Sequence, residues 1–328
     1  MKAALIGLGS VGRGVAEMIA QKKPGITLTG IADSKSGRIC NEGIDIAAVL
    51  ETKRTSGFCG DTAISAHDVI TNADYDVLIE VTPTNALTGE PALGYIRAAL
   101  LQKKHIVTSN KGPIALAYKE LSALAKKNGV ALRYEATVGG AIPIMHTLED
   151  GLCGNEIVAV RGVLNGTCNY ILTRMAAEGL TYEQALMEAR EMGYAEADPT
   201  YDVKGIDAAI KLVILANTIW GNGTKLDDVD VTGIDLLTPD ALRLAENGDC
   251  TIRLIAEAIP AKKILRVSPR LIAKDHSLVI EGSLNAITLE TDMAKEITLI
   301  GKGAGSVETA SAIIGDILYI RDHYDRRA

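Results

Sequence analysis

The spacing of apolar and polar residues changes period repeatedly along the first part of the chain. Short β-branched runs such as KAALIG, ITLTGIAD and DVLIEV alternate with longer amphipathic segments such as VGRGVAEMIAQK and ALGYIRAALLQKK. Strand periods that take turns with helix periods are typical of βαβ units, in which helices cover both faces of a parallel sheet. The pattern predicts an α/β domain with a doubly wound parallel sheet.

Beyond about residue 138 the pattern changes. GGAIPIMHTLEDGL predicts a helix entry, IVAVRGVLNG a strand, and NYILTRMAAEG, TYEQALMEAREMG and VKGIDAAIKLVILANTIWG three helices. ILRVSPRLIA, SLVIEGSLNAITLET and KEITLIGKG then predict strands, and SVETASAIIGDILYIRDHY predicts a closing helix. We expect a first domain at residues 1–134, a second α+β domain at 135–300, and a C-terminal helix at 301–328 that returns to the first domain.

Composition narrows the class of partner. The chain has 328 residues with one Phe and one Trp, so aliphatic side chains must fill the core. Its net charge of -7 argues against nucleic-acid and acidic-membrane partners, which require clustered Lys and Arg. No run of about 18 apolar residues predicts a membrane span. We therefore expect a small-molecule partner.

Five widely spaced cysteines form no C-x-x-C pair, which favours a reducing compartment over a disulfide framework. The N-terminal MKAALIGLGSVG lacks the cleavage site of a signal peptide, because glycines interrupt its apolar run. These two observations predict a cytoplasmic protein.

The turn GLGSVG directly follows the first predicted strand and opens a predicted helix. Gly7 allows a tight turn, Gly9 leaves room for a pyrophosphate, and Gly12 lets helix and strand approach, while the helix N-terminus offers N–H groups to phosphate. Ser10 and Val11 lie between these glycines and belong to the same candidate site. The context predicts a Rossmann-type dinucleotide site; a tight turn without ligand is the alternative.

Asp33 ends the second predicted strand about 20 residues after the last glycine, where a carboxylate can bind the adenosine ribose. This carboxylate favours NAD, although Asp33 could instead cap a helix. Four nearby cations could hold the extra phosphate of NADP, so the preference stays open. They are Lys35, Arg38, Lys53 and Arg54. Gly303 in the later GKGAGS could approach the cofactor or merely belong to a turn.

The stretch GYAEADPTYDVKGIDAAIK holds a lysine where a helix would otherwise present an apolar face. A helix starting near Asp202 would align Lys204, Asp207 and Lys211 on one stripe. A buried ammonium loses hydration, which favours its neutral form, whereas adjacent carboxylates favour its charged form. The pattern leaves a structural ion pair and a catalytic lysine equally open.

Four motifs, together with GLGSVG, carry a more specific signal over nearly the whole chain. TSNKGP, YEATVGGAIPI, GVLNGTCNYILTRM and GYAEADPTYDVKGIDAAIKL resemble homoserine dehydrogenase in sequence and in order. The family interconverts L-homoserine and L-aspartate 4-semialdehyde with NAD or NADP, on the route to threonine, methionine and isoleucine.

The resemblance implies roles for individual residues. Lys211 matches the acid–base lysine of the family, and Glu196 and Asp207 match the carboxylates that hold the substrate ammonium, with Asp202 sharing that work. Lys111 matches a lysine lining the nicotinamide and substrate site, where its alternative is an exposed loop lysine. Thr82, Ser109 and Gly193 match cofactor-contacting positions.

The resemblance also implies a monovalent cation, usually sodium, at Glu135, Val138, Gly140 and Ile142, mostly through backbone carbonyls; a plain loop is the alternative. It implies a homodimer formed through the sheet of the second domain. Many family members carry a C-terminal regulatory domain, whereas this chain ends with the predicted closing helix, so feedback by threonine at such a domain is not expected.

Two rivals remain at this stage. The first is a dehydrogenase of another amino acid semialdehyde, either a hydride-transferring Rossmann enzyme or an aldehyde-oxidising enzyme in which Cys168 forms a thiohemiacetal. That thiolate would need a histidine base, and the alternative for Cys168 is a buried small residue. None of the five histidines lies in a recognisable partner motif. The second rival is a non-catalytic dinucleotide sensor, which would need the glycine turn without Lys111, Glu196, Asp207 and Lys211.

Overall fold

The computed structural model describes residues 1–324; Asp325–Ala328, at the end of the predicted closing segment, lie outside it. The chain divides into two compact units. The first unit consists of Met1–Ala141 together with the chain from Gly305 onward, and the second consists of Ile142–Ala304.

The first unit is built on a six-stranded sheet in the order β3-β2-β1-β4-β5-β6. All neighbours pair in parallel except β2 and β3, which pair antiparallel at the edge. The doubly wound α/β prediction is therefore confirmed. The elements are β1 (Lys2–Ile6), α1 (Ser10–Lys22), β2 (Thr27–Ala32), β3 (Gly37–Ile39), α2 (Ile46–Ser56), α3 (Ala66–Asn72), β4 (Val77–Glu80), α4 (Ala92–Leu101), β5 (His105–Thr108), α5 (Lys111–Asn128) and β6 (Leu132–Arg133).

The second unit contains a mostly antiparallel six-stranded sheet in the order β12-β11-β7-β9-β10-β8. Helices α7, α10 and α11 pack on its central strand β9. The elements are α6 (Ile144–His146), β7 (Ile157–Val163), α7 (Gly166–Glu178), α8 (Tyr182–Glu191), α9 (Thr200–Val203), α10 (Ile206–Trp220), β8 (Asp230–Val231), α11 (Pro239–Asn247), β9 (Cys250–Ile259), β10 (Ile264–Ala273), β11 (Leu284–Thr291) and β12 (Glu296–Lys302).

The last helix, α12 (Ser306–His323), completes the first unit. It packs along α1, where the Cβ of any larger residue at Gly14 would lie 2.5 Å from the Ser306 hydroxyl oxygen. Its Asp316, fully buried, accepts hydrogen bonds from Arg133 Nε and the Glu135 amide, both at 3.0 Å. A buried carboxylate needs such partners. This ion pair fixes α12 to the end of β6.

Three predicted elements differ from the structure. The strand predicted from SLVIEGS onward begins only at Leu284, and the strand predicted for VALRYEA is reduced to β6 before a 3-10 turn. The helix predicted from Asp202 is two helices, α9 and α10, because Gly205 takes a left-handed φ of 83° that ends the first. Asp202 therefore lies within α9 and caps neither helix.

Candidate active site

The glycine turn after β1 has the shape that its sequence predicts. Gly7 has a φ of 102°, and its amide donates to the Ala32 carbonyl at 2.8 Å. A Cβ at Gly12 would lie 1.9 Å from the Gly7 carbonyl oxygen, so no side chain fits there. A Cβ at Gly9 would meet nothing within 4 Å. The turn thus leaves open space at Gly9, beside the N-terminus of α1 and its first residues Ser10 and Val11, which fits a pyrophosphate.

Asp33 follows β2 and is held rigidly. Its Oδ1 accepts from the amides of Lys35 and Ser36 at 2.8 and 3.0 Å, and its Oδ2 lies 2.5 Å from Lys53 Nζ. Burial acts to raise the pKa of Asp33, but the hydrogen bonds from Lys53 and the two amides outweigh it and lower the pKa. Asp33 closes a turn, so the alternative prediction that it caps a helix is wrong.

A buried carboxylate, Glu80, organises the ends of β4 and β5. Its side chain accepts hydrogen bonds from the Thr82 amide at 2.9 Å, from the Thr82 hydroxyl, and from the Thr108 hydroxyl at 2.9 Å. Asn110, the N-cap of α5, donates to the Thr82 carbonyl at 3.1 Å. Burial raises the pKa of Glu80, and the hydrogen bonds from Thr82, Thr108 and Asn110 oppose that rise. Sequence patterns gave no sign of this network.

The candidate residues Thr82, Ser109 and Lys111 all lie around this network. Ser109 donates its amide to the Glu80 carbonyl at 3.3 Å, and Lys111 is the first residue of α5. Lys111 is half-buried at a helix start, so the alternative of an exposed loop lysine is wrong.

In the second unit, Lys211 lies on α10 and is buried. Its Nζ lies 2.7 Å from Asp207 Oδ2, one turn earlier, and donates to the Leu164 carbonyl at 2.7 Å. The side chains of Lys211 and Asp207 are 10% and 8% exposed, so this pair is not the surface ion pair that spacing alone allows. Lys211 is thus buried and held in one orientation by two partners.

Asn165, which sequence reasoning missed, joins this lysine pair to Asp202. Its side-chain nitrogen donates to Asp202 Oδ1 at 2.6 Å and to Asp207 Oδ2 at 3.0 Å. The structure therefore brings Asp202, Asp207 and Lys211 together, as expected. Carboxylates such as those of Asp202 and Asp207 suit a cationic substrate group.

The other predicted residues have different contacts. Glu196 is exposed, and no hydrogen bond or ion pair joins it to the cluster among the described residues. The Nζ of Lys204 lies 2.7 Å from Asp235 Oδ2, so the prediction that Lys204 shares one helical stripe with Asp207 and Lys211 is wrong. Gly193 is exposed after α8 with a φ of 75°. Gly303 packs on Asn285, where a Cβ would lie 2.1 Å from the Asn285 Cγ.

Cys168 lies beside the cluster but lacks the partner that a nucleophile requires. Burial raises its pKa well above the ordinary value, and its thiol donates to the Asp202 carbonyl at 3.1 Å. No histidine hydrogen-bonds to Cys168 in the described part of the chain. All five cysteines are free thiols. The thiohemiacetal chemistry considered from sequence has no activating base here.

The four residues predicted to bind a cation are buried. Glu135, Val138 and Gly140 belong to the first unit, and Ile142 is the first residue of the second. The Glu135 carbonyl accepts from the Val138 amide at 3.4 Å, and Gly140 has a φ of 57°. Between residues 1 and 324 no cluster of three acidic, histidine or cysteine side chains could hold a metal. The same residues include no helix able to cross a membrane.

A parallel sheet whose first βα turn has positions that only glycine can occupy is the framework of dinucleotide-dependent enzymes. Oxidation of an alcohol by such a cofactor also requires a group that exchanges the hydroxyl proton, and lysine is one of the side chains that can supply it, with buried Lys211 as the candidate. Fold and site together define a dinucleotide-dependent dehydrogenase.

Comparison with known proteins identifies the family. The family model "Homoserine dehydrogenase, NAD binding domain" matches residues 7–135, and "Homoserine dehydrogenase" matches residues 143–318. This chain belongs to the homoserine dehydrogenase family.

The chain matches two relatives and one solved structure over nearly their whole lengths. Homoserine dehydrogenase of Methanocaldococcus jannaschii is 45% identical, with 96% of this chain and 97% of the relative covered. An NAD(+)-dependent homoserine dehydrogenase of Pseudomonas canavaninivorans is 37% identical, with coverage of 99% and 97%. A crystal structure from Archaeoglobus fulgidus superposes with a TM-score of 0.92 at 47% identity, covering 98% of this chain and 99% of that one.

Proposed function

We propose that this chain reversibly oxidises L-homoserine to L-aspartate 4-semialdehyde with NAD or NADP, and that Lys211 is its acid–base group. The observation that carries the proposal is the buried Lys211, held between the Leu164 carbonyl and the Asp207 carboxylate. A lysine fixed at both sides can meet a substrate hydroxyl in one orientation. Membership of the homoserine dehydrogenase family supplies the substrate.

Oxidation of the alcohol removes a hydride from the carbinol carbon and a proton from its oxygen. The bound nicotinamide would accept the hydride. In its neutral form Lys211 accepts the hydroxyl proton, and in the reverse direction its ammonium returns that proton to the forming alcohol. Asp202 and Asp207 accept hydrogen bonds from the substrate ammonium, with Glu196 as a further carboxylate. We assign Lys111 to the substrate carboxylate or the developing alkoxide.

In the first unit, the open space at Gly9 and the amides opening α1 would hold the pyrophosphate, with Asp33 at the adenosine ribose. Thr82 and Ser109, braced by Glu80, would line the nicotinamide side; Gly193 and Gly303 complete the proposed contacts. The Asp33 carboxylate favours NAD, and one relative is named as NAD(+)-dependent. Lys53, now bound to Asp33, is the cation closest at hand for the phosphate of NADP.

The proposal also includes a cation site and a homodimer. Backbone carbonyls of Val138, Gly140 and Ile142, with Glu135, would bind a sodium ion. A homodimer would form through the sheet of the second unit, and a monomer in light scattering at micromolar concentration would contradict it.

The decisive experiment measures NAD(P)H formation with L-homoserine for the wild type, Lys211→Met and Lys204→Met. We expect Lys211→Met to lose about 100- to 10,000-fold in kcat, the range of general acid–base catalysis. Lys204→Met is the matched control, because Lys204 is 53% exposed and bound to Asp235. Full turnover by Lys211→Met would refute the acid–base role. No turnover by the wild type with either cofactor would refute the activity.

A further inference from the structure

Asn165 stands where three elements of the second unit meet. It follows Leu164 at the end of β7 and is the N-cap of α7, and its side chain reaches α9 and α10. The residue is 4% exposed. Its single amide group is therefore buried beside backbone groups and two carboxylates, of which Asp207 is buried and Asp202 is half-buried.

Every polar atom of this side chain has a partner. The oxygen accepts from the Cys168 amide at 2.8 Å and so caps α7. The two N–H groups are directed to Asp202 Oδ1 at 2.6 Å and to Asp207 Oδ2 at 3.0 Å. A carboxamide offers two donors and one acceptor in a fixed plane, and this site uses all three.

The two donors oppose a repulsion. Asp202 and Asp207 bring two negative charges to one nitrogen, and like charges in a partly dehydrated place repel each other. Hydrogen bonds to charged acceptors are stronger than those between neutral groups, so the amide can hold both carboxylates. A serine or aspartate would still cap α7 but could not donate to both.

The same peptide unit also holds the lysine. The carbonyl of Leu164, which is bonded to the nitrogen of Asn165, accepts from Lys211 Nζ at 2.7 Å. The backbone of this junction thus fixes the proton-exchanging group, while the adjacent side chain fixes the two carboxylates. A movement of this junction would therefore displace both Lys211 and the two carboxylates.

We infer that Asn165 is a positioning residue that holds Asp202 and Asp207 at the spacing that receives the substrate ammonium. The inference rests on the proposed function, because it gives those carboxylates a substrate to bind. It adds a determinant of specificity. By positioning the two carboxylates, the Asn165 amide favours a substrate that carries an ammonium group.

Two variants separate positioning from capping. Asn165→Ser and Asn165→Asp both retain an N-cap oxygen, and Asn165→Ser adds no charge, so we expect its melting temperature to be close to that of the wild type. Asn165→Asp places a third buried carboxylate beside Asp202 and Asp207, so we expect its melting temperature to fall. We expect kcat/KM for L-homoserine to fall about 100-fold, the effect of a displacement of roughly 1 Å in an active site. KM should rise more than kcat falls. The inhibition constant of 4-hydroxybutanoate, which lacks the amino group, should not change.

The pH dependence gives a readout that a structural role would not change. Titratable groups that lie around residue 165 in the second unit include Asp202, Asp207, Lys211 and the Cys168 thiol. Asn165→Asp adds a third carboxylate to this set, whereas Asn165→Ser adds no charge. We expect the pH profile of kcat/KM to shift for Asn165→Asp relative to Asn165→Ser.

The outcomes are distinct. Wild-type KM and pH profile in both variants would overturn the inference and leave only a helix cap. A parallel weakening of homoserine and 4-hydroxybutanoate would overturn it as well, because the site as a whole would have been disturbed. If the wild type itself does not oxidise homoserine, the proposed function fails, whatever the variants do.

Discussion

Asp207 and Lys211 lie one turn apart on α10, buried, with Asp207 Oδ2 at 2.7 Å from Lys211 Nζ. In the proposed function, this pair would place the proton-exchanging Lys211 directly beside a carboxylate that binds the substrate. Helical spacing alone brings the two side chains together. An exposed ion pair of this spacing stabilises a helix by only about 0.3–0.5 kcal/mol, so it is the burial of this pair that distinguishes it from an ordinary surface pair.

Asp207→Asn should separate these two tasks. The asparagine keeps an oxygen near Asn165 and Lys211 but loses the charge that holds the ammonium. We expect KM for L-homoserine to rise about 10- to 100-fold, since a hydrogen bond to a charged group contributes about 1.5–3 kcal/mol. Steady-state kinetics measures this, with the dissociation constant of NADH as the control. An unchanged KM would show that Asp207 serves only Lys211.

The Asp33–Lys53 pair should set cofactor preference. Asp33→Ser frees Lys53 for a 2′-phosphate and removes the charge that repels it. We expect the ratio of kcat/KM with NADP to kcat/KM with NAD to rise about tenfold or more, from a change of at least ~1.4 kcal/mol. Adding Lys53→Met should reverse the gain. A ratio that stays constant in both variants would place the adenosine elsewhere.

Two glycines of the first turn offer a matched comparison. Gly12→Ala puts a methyl group 1.9 Å from the Gly7 carbonyl oxygen, whereas Gly9→Ala puts one into open space. We expect Gly12→Ala to destabilise the fold by about 1–3 kcal/mol, the usual cost of overpacking. Gly9→Ala should unfold like the wild type yet bind dinucleotide weakly. Urea unfolding and NADH titration distinguish them, and tight binding by Gly9→Ala would exclude a pyrophosphate there.

Glu80 should make stability depend on pH. Burial raises its pKa above the ordinary 4.5, so the folded state binds this proton more tightly than the unfolded chain. Its contribution is fully present below the unfolded pKa and is lost as pH rises through the folded pKa. Glu80→Gln lacks this loss, so its free energy of unfolding relative to wild type should increase as pH rises above about 4.5. Urea unfolding at several pH values measures the difference; a constant difference would contradict the raised pKa.

Cys168→Ser tests the rival covalent chemistry. The serine hydroxyl can also donate to the Asp202 carbonyl, and the thiol has no histidine partner among the described residues. We expect homoserine turnover within a few-fold of wild type, given the typical ~1 kcal/mol cost of a buried substitution. A loss beyond 1000-fold with an unchanged melting temperature would restore Cys168 as a nucleophile.

Sequence predicts the parts of this molecule that depend on near neighbours. The strand, glycine turn and helix from Lys2 to Lys22 were predicted because their requirements lie within a few residues of one another. Asp207 and Lys211 were paired correctly for the same reason. The break at Gly205 was missed because apolar periodicity continues across it, although its φ of 83° ends the helix.

Other features depend on distant partners. Asn165 acquires its role only when the end of β7 meets residues 37 and 42 positions later. Strand β9, CTIRLIAEAI, was not predicted: most of it is buried at the centre of the sheet, so it lacks the alternation of a half-exposed strand. Glu80 likewise looked like an ordinary polar residue at a strand end.

The packing of α12 has a consequence for the order of events during translation. Ile313, Ile317 and Ile320 belong to the core of the first unit, and Asp316 is the buried partner of Arg133. A ribosome makes the whole second unit before it makes this helix. The nascent dinucleotide-binding sheet therefore keeps an apolar face uncovered, and Arg133 lacks Asp316, until the second unit has been made, which is an interval in which chaperones protect such surfaces.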